Sequence, residues 1–285
     1  MARELPRLLE VLTSAGIGAE VLATTHRGHA IELARRAALD GFDTVVAVGG
    51  DGTVNEVVNG LLRDDRPVSN TALGVVAAGS GADFARTFDL PPHVDHALAG
   101  IAGRSRRLDI GRIDCMTADG TPLTRYFANA AEAGMAAATV ERAERLPRWL
   151  GRSRYLVAFW PSLVAFDPVT MTVTTPNDTR QVDAHNILVA NGRFIGGGMH
   201  ISPHSNPSDG SFDVQVNIGP KRLAFTLIPQ IYRGTDLPDQ RILEMSGSTV
   251  SVEADTPIPI EADGEMVGVT PATFTVLPGI LELRA

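Results

Sequence analysis

A single cysteine, Cys115, stands among 285 residues. Its solitude excludes an internal disulfide and any cysteine-based zinc site, and fits a reducing compartment, with the cytoplasm as the default. Long apolar runs are missing too. The N-terminus, Met1-Ala-Arg-Glu-Leu-Pro, has no signal-peptide core, and no stretch approaches the roughly 18 apolar residues of a membrane span. Membrane contact is therefore expected to be peripheral, at the inner face. There is no basic excess: the net charge of −8 argues against nonspecific nucleic-acid binding, which needs a cationic surface to displace phosphate counterions. The histidines form no HExxH pair, so zinc hydrolase chemistry lacks support. GxxxxGK[ST], GxGxxG and the HRD and DFG signatures are also absent, which disfavours P-loop, dinucleotide-binding and protein-kinase readings.

What remains is an ordinary globular composition, 44% hydrophobic and 20% charged, of a length that suits two domains. Residues 5 to 90 alternate helix and strand as a layered, parallel α/β domain requires. The pattern predicts helices over 5–15 and 29–39 and a short strand over 19–23. It predicts a buried strand over 44–48 and another over 73–77. Between them, Val54, Val57, Val58, Leu61 and Leu62 mark one face of a helix.

Beyond about residue 103 the chain becomes rich in Thr and Val, broken by Gly, Pro, Asn and Asp, and reads as mainly antiparallel β, a sandwich. Strands are expected over 107–113, 123–129, 169–175, 183–191, 212–218, 249–253, 258–261 and 273–283. Helices are expected near 133–145, 155–166 and 221–232. The fold class is thus α/β plus β. An α/β domain spans 1–103, and a β-sandwich-like domain spans 104–285, its tail free to return to the first.

Two glycine loops end two of the buried strands. Gly49-Gly50-Asp51-Gly52-Thr53 runs straight into a helix, which gathers backbone N–H groups and the positive end of the helix dipole where a phosphate could sit. Asp51, an anion beside that spot, makes sense as a magnesium ligand. The bland alternative is a tight turn followed by a capping box from Thr53 to Glu56. The second loop, Gly79-Ser80-Gly81-Ala82-Asp83, would lie on the same sheet edge, where α/β proteins bind ligands.

These segments resemble the catalytic domain of the bacterial diacylglycerol kinase family, which is related in fold to NAD kinases. The family hallmark, GGDGT followed by Asn-Glu, reads here as Gly49 to Thr53, Val54, Asn55 and Glu56. Gly79 to Arg86 is similar to the Gly-Thr-x-Asn-Asp-Phe-Ala-Arg segment, with Ser80 keeping the hydroxyl and Ala82 replacing Asn. Thr25 before Gly28-His29-Ala30, Asp109-Ile-Gly111, Phe127-Ala-Asn129 with Gly134, Pro203 to Asp213 and Asp263-Gly264-Glu265 extend the match over nearly the whole chain. The family's first strand and Asn-Pro-x-Ser-Gly loop have no counterpart, since the sequence opens in what resembles the following helix.

The resemblance implies transfer of the ATP γ-phosphate to the hydroxyl of diacylglycerol or a similar lipid alcohol, with ATP and Mg2+ as cofactors. A sphingoid base, a polyprenol or a nonlipid alcohol are alternative acceptors, and a noncatalytic nucleotide-binding regulator is the reading from another class. By family position Glu265 and Asp263 are the candidates for general base, although their spacing alone would also suit a surface hairpin turn. Thr25, Gly49, Gly50, Asp51, Gly52, Thr53, Asn55, Glu56, Gly79, Ser80 and Asp83 are the nucleotide-site candidates. Besides Asp51, a magnesium site is implied at Asp209 with the carbonyls of Asn206 and Ser211. Arg142, Arg145, Arg148, Arg152 and Arg154 around Trp149 and Tyr155 suit either an anionic lipid surface or a solvated helix end. The apolar segment 155–166 reads as a core helix or an acyl-chain lining. A homodimer is compatible with all of this.

Overall fold

A computed structural model of the chain describes residues 5–78, 82–91, 104–151, 153–225, 230–231 and 241–285. Helix α1 (Leu5–Ser14) and helix α2 (His29–Leu39) precede strand β1 (Thr44–Gly49) and helix α3 (Asp51–Leu61). A two-residue hairpin, β2 (Leu62–Arg63) and β3 (Arg66–Pro67), leads to β4 (Ala72–Ala77) and the short helix α4 (Asp83–Thr87). Strands β1 and β4 pair in parallel, in register from Thr44 with Ala72 to Gly49 with Ala77. The apolar face of α3 supplies Val54, Val57, Val58 and Leu61, each at most 4% exposed. Burial on that scale stabilises by roughly 1.5–3 kcal/mol per side chain.

The second half alternates inward and outward residues as a strand must when one face is covered. After β5 (Ser105–Met116), β6 (Pro122–Phe127) and β7 (Ala130–Gly134) come helices α5 (Met135–Glu144) and α6 (Ser153–Ala165). Then follow β8 (Val169–Thr174), β9 (Thr179–Ala184), β10 (Asn186–Ala190) and the hairpin β11 (Phe194–Ile195) and β12 (Met199–His200). β13 (Phe212–Asn217), β14 (Ile242–Gly247), β15 (Thr249–Ala254), β16 (Pro259–Ala262) and β17 (Glu265–Arg284) complete the chain. Phe212, Val214 and Val216 point into one core with Phe127, Ile187, Val250, Ile260 and Phe274. The sheet curls around that core, and so forms the two layers of the sandwich.

β17 is the hub. It pairs antiparallel with β16, β15 and β5, and near its end Leu283 and Arg284 lie parallel to Leu73 and Gly74 of β4. Two register shifts against β5 break its course, one between Val269 and Thr273 and one between Leu277 and Leu281. Bulges bend a strand and raise its twist. As a result Phe274 and Val276 fill the sandwich core, whereas Leu281 and Leu283 fill the α/β core.

Several sequence expectations give way to tertiary pairing. Residues 19–23 form no strand; Val21 and Leu22 are 45% and 51% exposed, and nothing in the described structure pairs with them. The Ala-rich stretch before the predicted helix at 133–145 is strand β7, held between β10 and β16, because only small side chains fit where Ala131 and Ala133 are fully buried. Gly134 then turns the chain at φ 108°, where any Cβ would meet the His185 carbonyl at 2.6 Å. The single strand expected over 183–191 is two, β9 and β10, which run in different parts of the sheet. β14 carries no alternation strong enough to have been read. The helix expected over 221–232, by contrast, is present wherever the chain is described: a 3-10 turn covers Lys221–Leu223, 224–225 and 230–231 are α-helical, and 226–229 and 232 lie outside the described residues.

Candidate active site

The first glycine loop is shaped by its own helix. A Cβ on Gly49 would sit 2.5 Å from the Thr53 hydroxyl, so only glycine permits Thr53 to fold back at the start of α3. Gly50 is the N-cap and makes no side-chain cap. The N–H groups of Asp51 and Gly52 therefore stand at the helix end without intrahelical acceptors, where the dipole favours an anion. The capping box does not form. Glu56 instead reaches α2, accepting the N–H of Gly28 at 2.8 Å and of Ala30 at 3.0 Å. Gly28, at φ 84°, has no side chain with which to cap its own helix.

The other polar candidates in this half are also engaged. Asp51 Oδ1 accepts the Phe84 N–H at 3.0 Å, which ties the first loop to the start of α4. Asp83 is buried, accepts the Gly197 N–H at 2.6 Å and pairs with Arg86 at 3.1 Å. Burial raises its pKa, and the neighbouring Asp51 charge adds to the shift. Thr25 donates its N–H to His29 Nδ1 at 3.1 Å. Gly79, Ser80 and Gly81 lie outside the described residues.

The Asp263-Gly264-Glu265 turn joins β16 to β17 and enters this region from the sandwich. Asp263 adopts φ 48°, and its carboxylate accepts four N–H bonds, from Ala128 at 2.8 Å, Asn129 at 2.9 Å, Ala130 at 3.1 Å and the Asn55 amide at 2.9 Å. Burial raises its pKa and those donors oppose the rise. Both oxygens are thus committed to holding the turn against β6, β7 and α3. Asn55 is committed with it, also donating to the Tyr126 carbonyl at 3.1 Å.

Glu265 is different. Its side chain is 30% exposed, and its Oε1 lies 3.6 Å from where a Gly52 Cβ would be, so the absent side chain leaves the helix end open to the carboxylate. Burial raises the pKa of Glu265, Arg27 lowers it and Glu56 raises it further. Arg27 lies 3.5 Å from Glu265 and 3.0 Å from Glu144 on α5, bridging the two halves of the chain. A cleft of about 330 Å³ opens beside them, lined by Arg27, Asn55, Glu56, Arg125, Tyr126 and Glu265 among others.

The loop expected to hold a second magnesium closes on itself. The Asn206 carbonyl accepts the N–H of Ser208 and Asp209, and Asp209 Oδ1 accepts the Ser211 N–H at 3.0 Å. The Asn206 carbonyl spends both lone pairs on its own turn, and Asp209 Oδ2 is the carboxylate oxygen left for a cation. Asp109 anchors the loop from β5, accepting Gly210 N–H and Gly279 N–H at 2.7 Å each. The sequence placed Asp109 in a motif without giving it a task, and it did not single out Arg27, whose only signal is its position beside Thr25 and Gly28. Among the described residues no three His, Cys, Asp or Glu side chains converge as metal ligands.

Helix α6 corrects the core-helix expectation. Ala158, Ser162 and Leu163 are its buried residues, whereas Leu156, Val157, Trp160 and Val164 are 61%, 50%, 39% and 74% exposed along one face. Trp149 beside it is 82% exposed, Phe225 stacks on Trp160, and Arg154 covers the Tyr155 ring. The Arg148 side chain and Arg152 lie outside the described residues. Among the described residues no helix is long and apolar enough to cross a membrane.

Comparison with known proteins agrees with this architecture. Residues 1–113 match the diacylglycerol kinase catalytic domain, and residues 129–285 match the YegS C-terminal NAD kinase beta sandwich-like domain. The chain is 30% identical to the diacylglycerol kinase of Bacillus subtilis over 280 residues, covering 96% of this chain and 88% of that protein. It is 31% identical to the diacylglycerol kinase of Mycobacterium tuberculosis over 253 residues, covering 87% and 78%. A crystal structure of a diacylglycerol kinase from Bacillus anthracis shares the fold, with a TM-score of 0.71 at 20% identity over 97% of this chain and 90% of that one. A helix N-terminus open to anions, faced by a carboxylate from a C-terminal sandwich, is thus found in a chain that belongs to the diacylglycerol kinase family of lipid kinases.

Proposed function

We propose that the chain transfers the γ-phosphate of ATP to the hydroxyl of diacylglycerol or a similar lipid alcohol, with Glu265 as general base. The observation that carries this reading is Glu265 itself, a partly desolvated carboxylate facing the open N-terminus of α3 across Gly52. Phosphoryl transfer needs positioning and charge stabilisation more than covalent help. The N–H groups of Asp51 and Gly52 and the helix dipole would hold phosphate oxygens. Glu265 would accept the proton of the attacking hydroxyl, a task suited to a carboxylate whose pKa is raised. Asp263 shapes the turn that presents it and fixes Asn55.

Asp51 keeps one carboxylate oxygen beyond its bond to Phe84, a hard donor of the kind magnesium takes. Magnesium bound there with the nucleotide would neutralise phosphate charge. Asp209 with the Ser211 carbonyl is the second place for the ion. The exposed apolar face of α6, with Arg154 over the Tyr155 ring on the same helix, supports peripheral contact with the membrane that carries the acceptor.

The test is incubation of the protein with Mg-ATP and a lipid extract, followed by mass spectrometry for phosphorylated lipids. A phosphatidic acid signal lost in Glu265→Gln is expected. An undiminished signal in that variant would overturn the role of Glu265, and no phosphorylated lipid with the unaltered chain would overturn the substrate.

A further inference from the structure

Beneath the catalytic turn two glutamates face each other. Glu132 on β7 and Glu261 on β16 are directly opposed in antiparallel register, on the face away from Ala131, Ala133, Ile260 and Ala262, which fill the sandwich core. Glu261 is 5% exposed, and the strand register sets its carboxyl beside that of Glu132. Their strand neighbours on the outer sides are Leu188 on β10 and Met266 on β17, so neither strand brings a charge. The charges that Glu261 meets are those of Glu132 and Asp263, both of its own sign, and no ion pair joins either glutamate to a cation among the described residues. Like charges directly opposed across a sheet destabilise it, and of two carboxylates sharing a site one holds its proton to a raised pH.

The remaining bonds occupy one oxygen on each glutamate. Glu132 Oε1 accepts the Asn186 amide at 2.9 Å, and Asn186 in turn accepts the Ala136 N–H at the start of α5. Glu261 Oε2 accepts the Gly264 N–H at 2.8 Å. Each glutamate thereby keeps its other oxygen for a hydrogen held between them.

We propose that Glu261 is a positioning residue: it holds one proton shared with Glu132, and in that form its Oε2 fixes Gly264 and so the direction in which Glu265 leaves the turn. Loss of the proton sets two anions against each other and drives Glu261, with Gly264, away from Glu132. The effect on turnover rests on the catalytic reading of Glu265; the proton sharing does not.

Burial first, and then Glu132, push the pKa of Glu261 well up, so the sign is set. The stabilisation is complete below the unfolded value, about 4.3, and is lost as pH rises through the raised folded value. Glu261→Gln should mimic the protonated form at every pH, its carbonyl accepting from Gly264 and its amide donating to Glu132. Relative to this variant, the unfolding constant of the unaltered chain should rise by up to tenfold per pH unit across the interval in which the shared proton leaves.

Two readouts decide it. In two-dimensional NMR the Gly264 amide resonance should move with pH in the unaltered chain, with an inflection above that of an ordinary glutamate, and should lose that inflection in Glu261→Gln. In the lipid phosphorylation assay Glu261→Leu, which cannot accept from Gly264, should lower kcat at least tenfold with KM nearly unchanged, whereas Glu261→Gln should retain it. Equal pH dependence of unfolding and of the Gly264 resonance in the unaltered chain and Glu261→Gln would overturn the shared proton. A Glu261→Leu variant that folds with undiminished kcat would overturn the positioning role. If the unaltered chain phosphorylated no lipid, the function reading would fail while the NMR and unfolding measurements still decided the proton.

Discussion

The Asn55 amide lies 2.9 Å from the Asp263 carboxylate, a bond that spans 208 residues and joins the helix after the first glycine loop to the turn between β16 and β17. It separates the two acidic candidates by role. Asp263 is spent on holding the halves together, and Glu265, two residues on, faces the cleft.

Asp263→Asn should therefore act on stability. An amide nitrogen would point a donor at one or more of the N–H groups of Ala128, Asn129 and Ala130, and a buried donor left without an acceptor costs about 1–3 kcal/mol. A lowered urea midpoint with an unchanged slope is expected, together with lost turnover. Glu265→Gln should leave the midpoint within about 0.5 kcal/mol. A similar midpoint for both variants would show that the four bonds carry no weight.

Turnover should fall by about 10²–10⁴ in Glu265→Gln, the range that a positioned general base supplies. A base works deprotonated, so kcat of the unaltered chain should rise with pH through a value above the ordinary glutamate pKa of about 4.3. Arg27 lowers the Glu265 pKa, so Arg27→Met should move that limb to higher pH. A limb that stays in place would remove Arg27 from the site.

Glu56 caps α2 from α3, and it touches α2 backbone where a nucleotide contact was expected. Glu56→Ala should cost about 0.5–2 kcal/mol, as loss of a helix cap does, with faster amide exchange at Gly28 and Ala30. A loss of ATP affinity at unchanged stability would reverse this assignment.

The apolar face of α6 invites a surface test. Leu156→Asp with Val164→Asp should change stability little, because both side chains are mostly exposed. Sedimentation with anionic vesicles should fall several-fold while turnover on detergent-dispersed substrate persists. Unchanged sedimentation would place the membrane contact elsewhere.

Much of this protein was legible in its sequence, because the relevant signals are local. The spacing of Val54, Val57, Val58 and Leu61 sets the buried face of α3, and the alternation of Phe212, Val214 and Val216 sets a sandwich strand. Helix periodicity, strand alternation and the steric freedom of glycine act over a few residues, and a linear reading captures them.

Only the tertiary structure decided which polar side chains remain available. Glu56, Asn55, Asp51, Asp83 and Asp263 look alike as ligands along the chain, yet each finds a partner outside its own turn, and the opposition of Glu132 to Glu261 exists only once β7 lies beside β16. Strand β7 itself is an Ala-rich segment made extended by its neighbours, since pairing on both edges outweighs helix propensity of a few tenths of a kcal/mol per residue. Hydrogen-bond satisfaction in a folded interior is a property of distant segments brought together: of the carboxylates on the cleft, Glu56 is held by the α2 backbone, whereas Glu265 meets the Arg27 side chain.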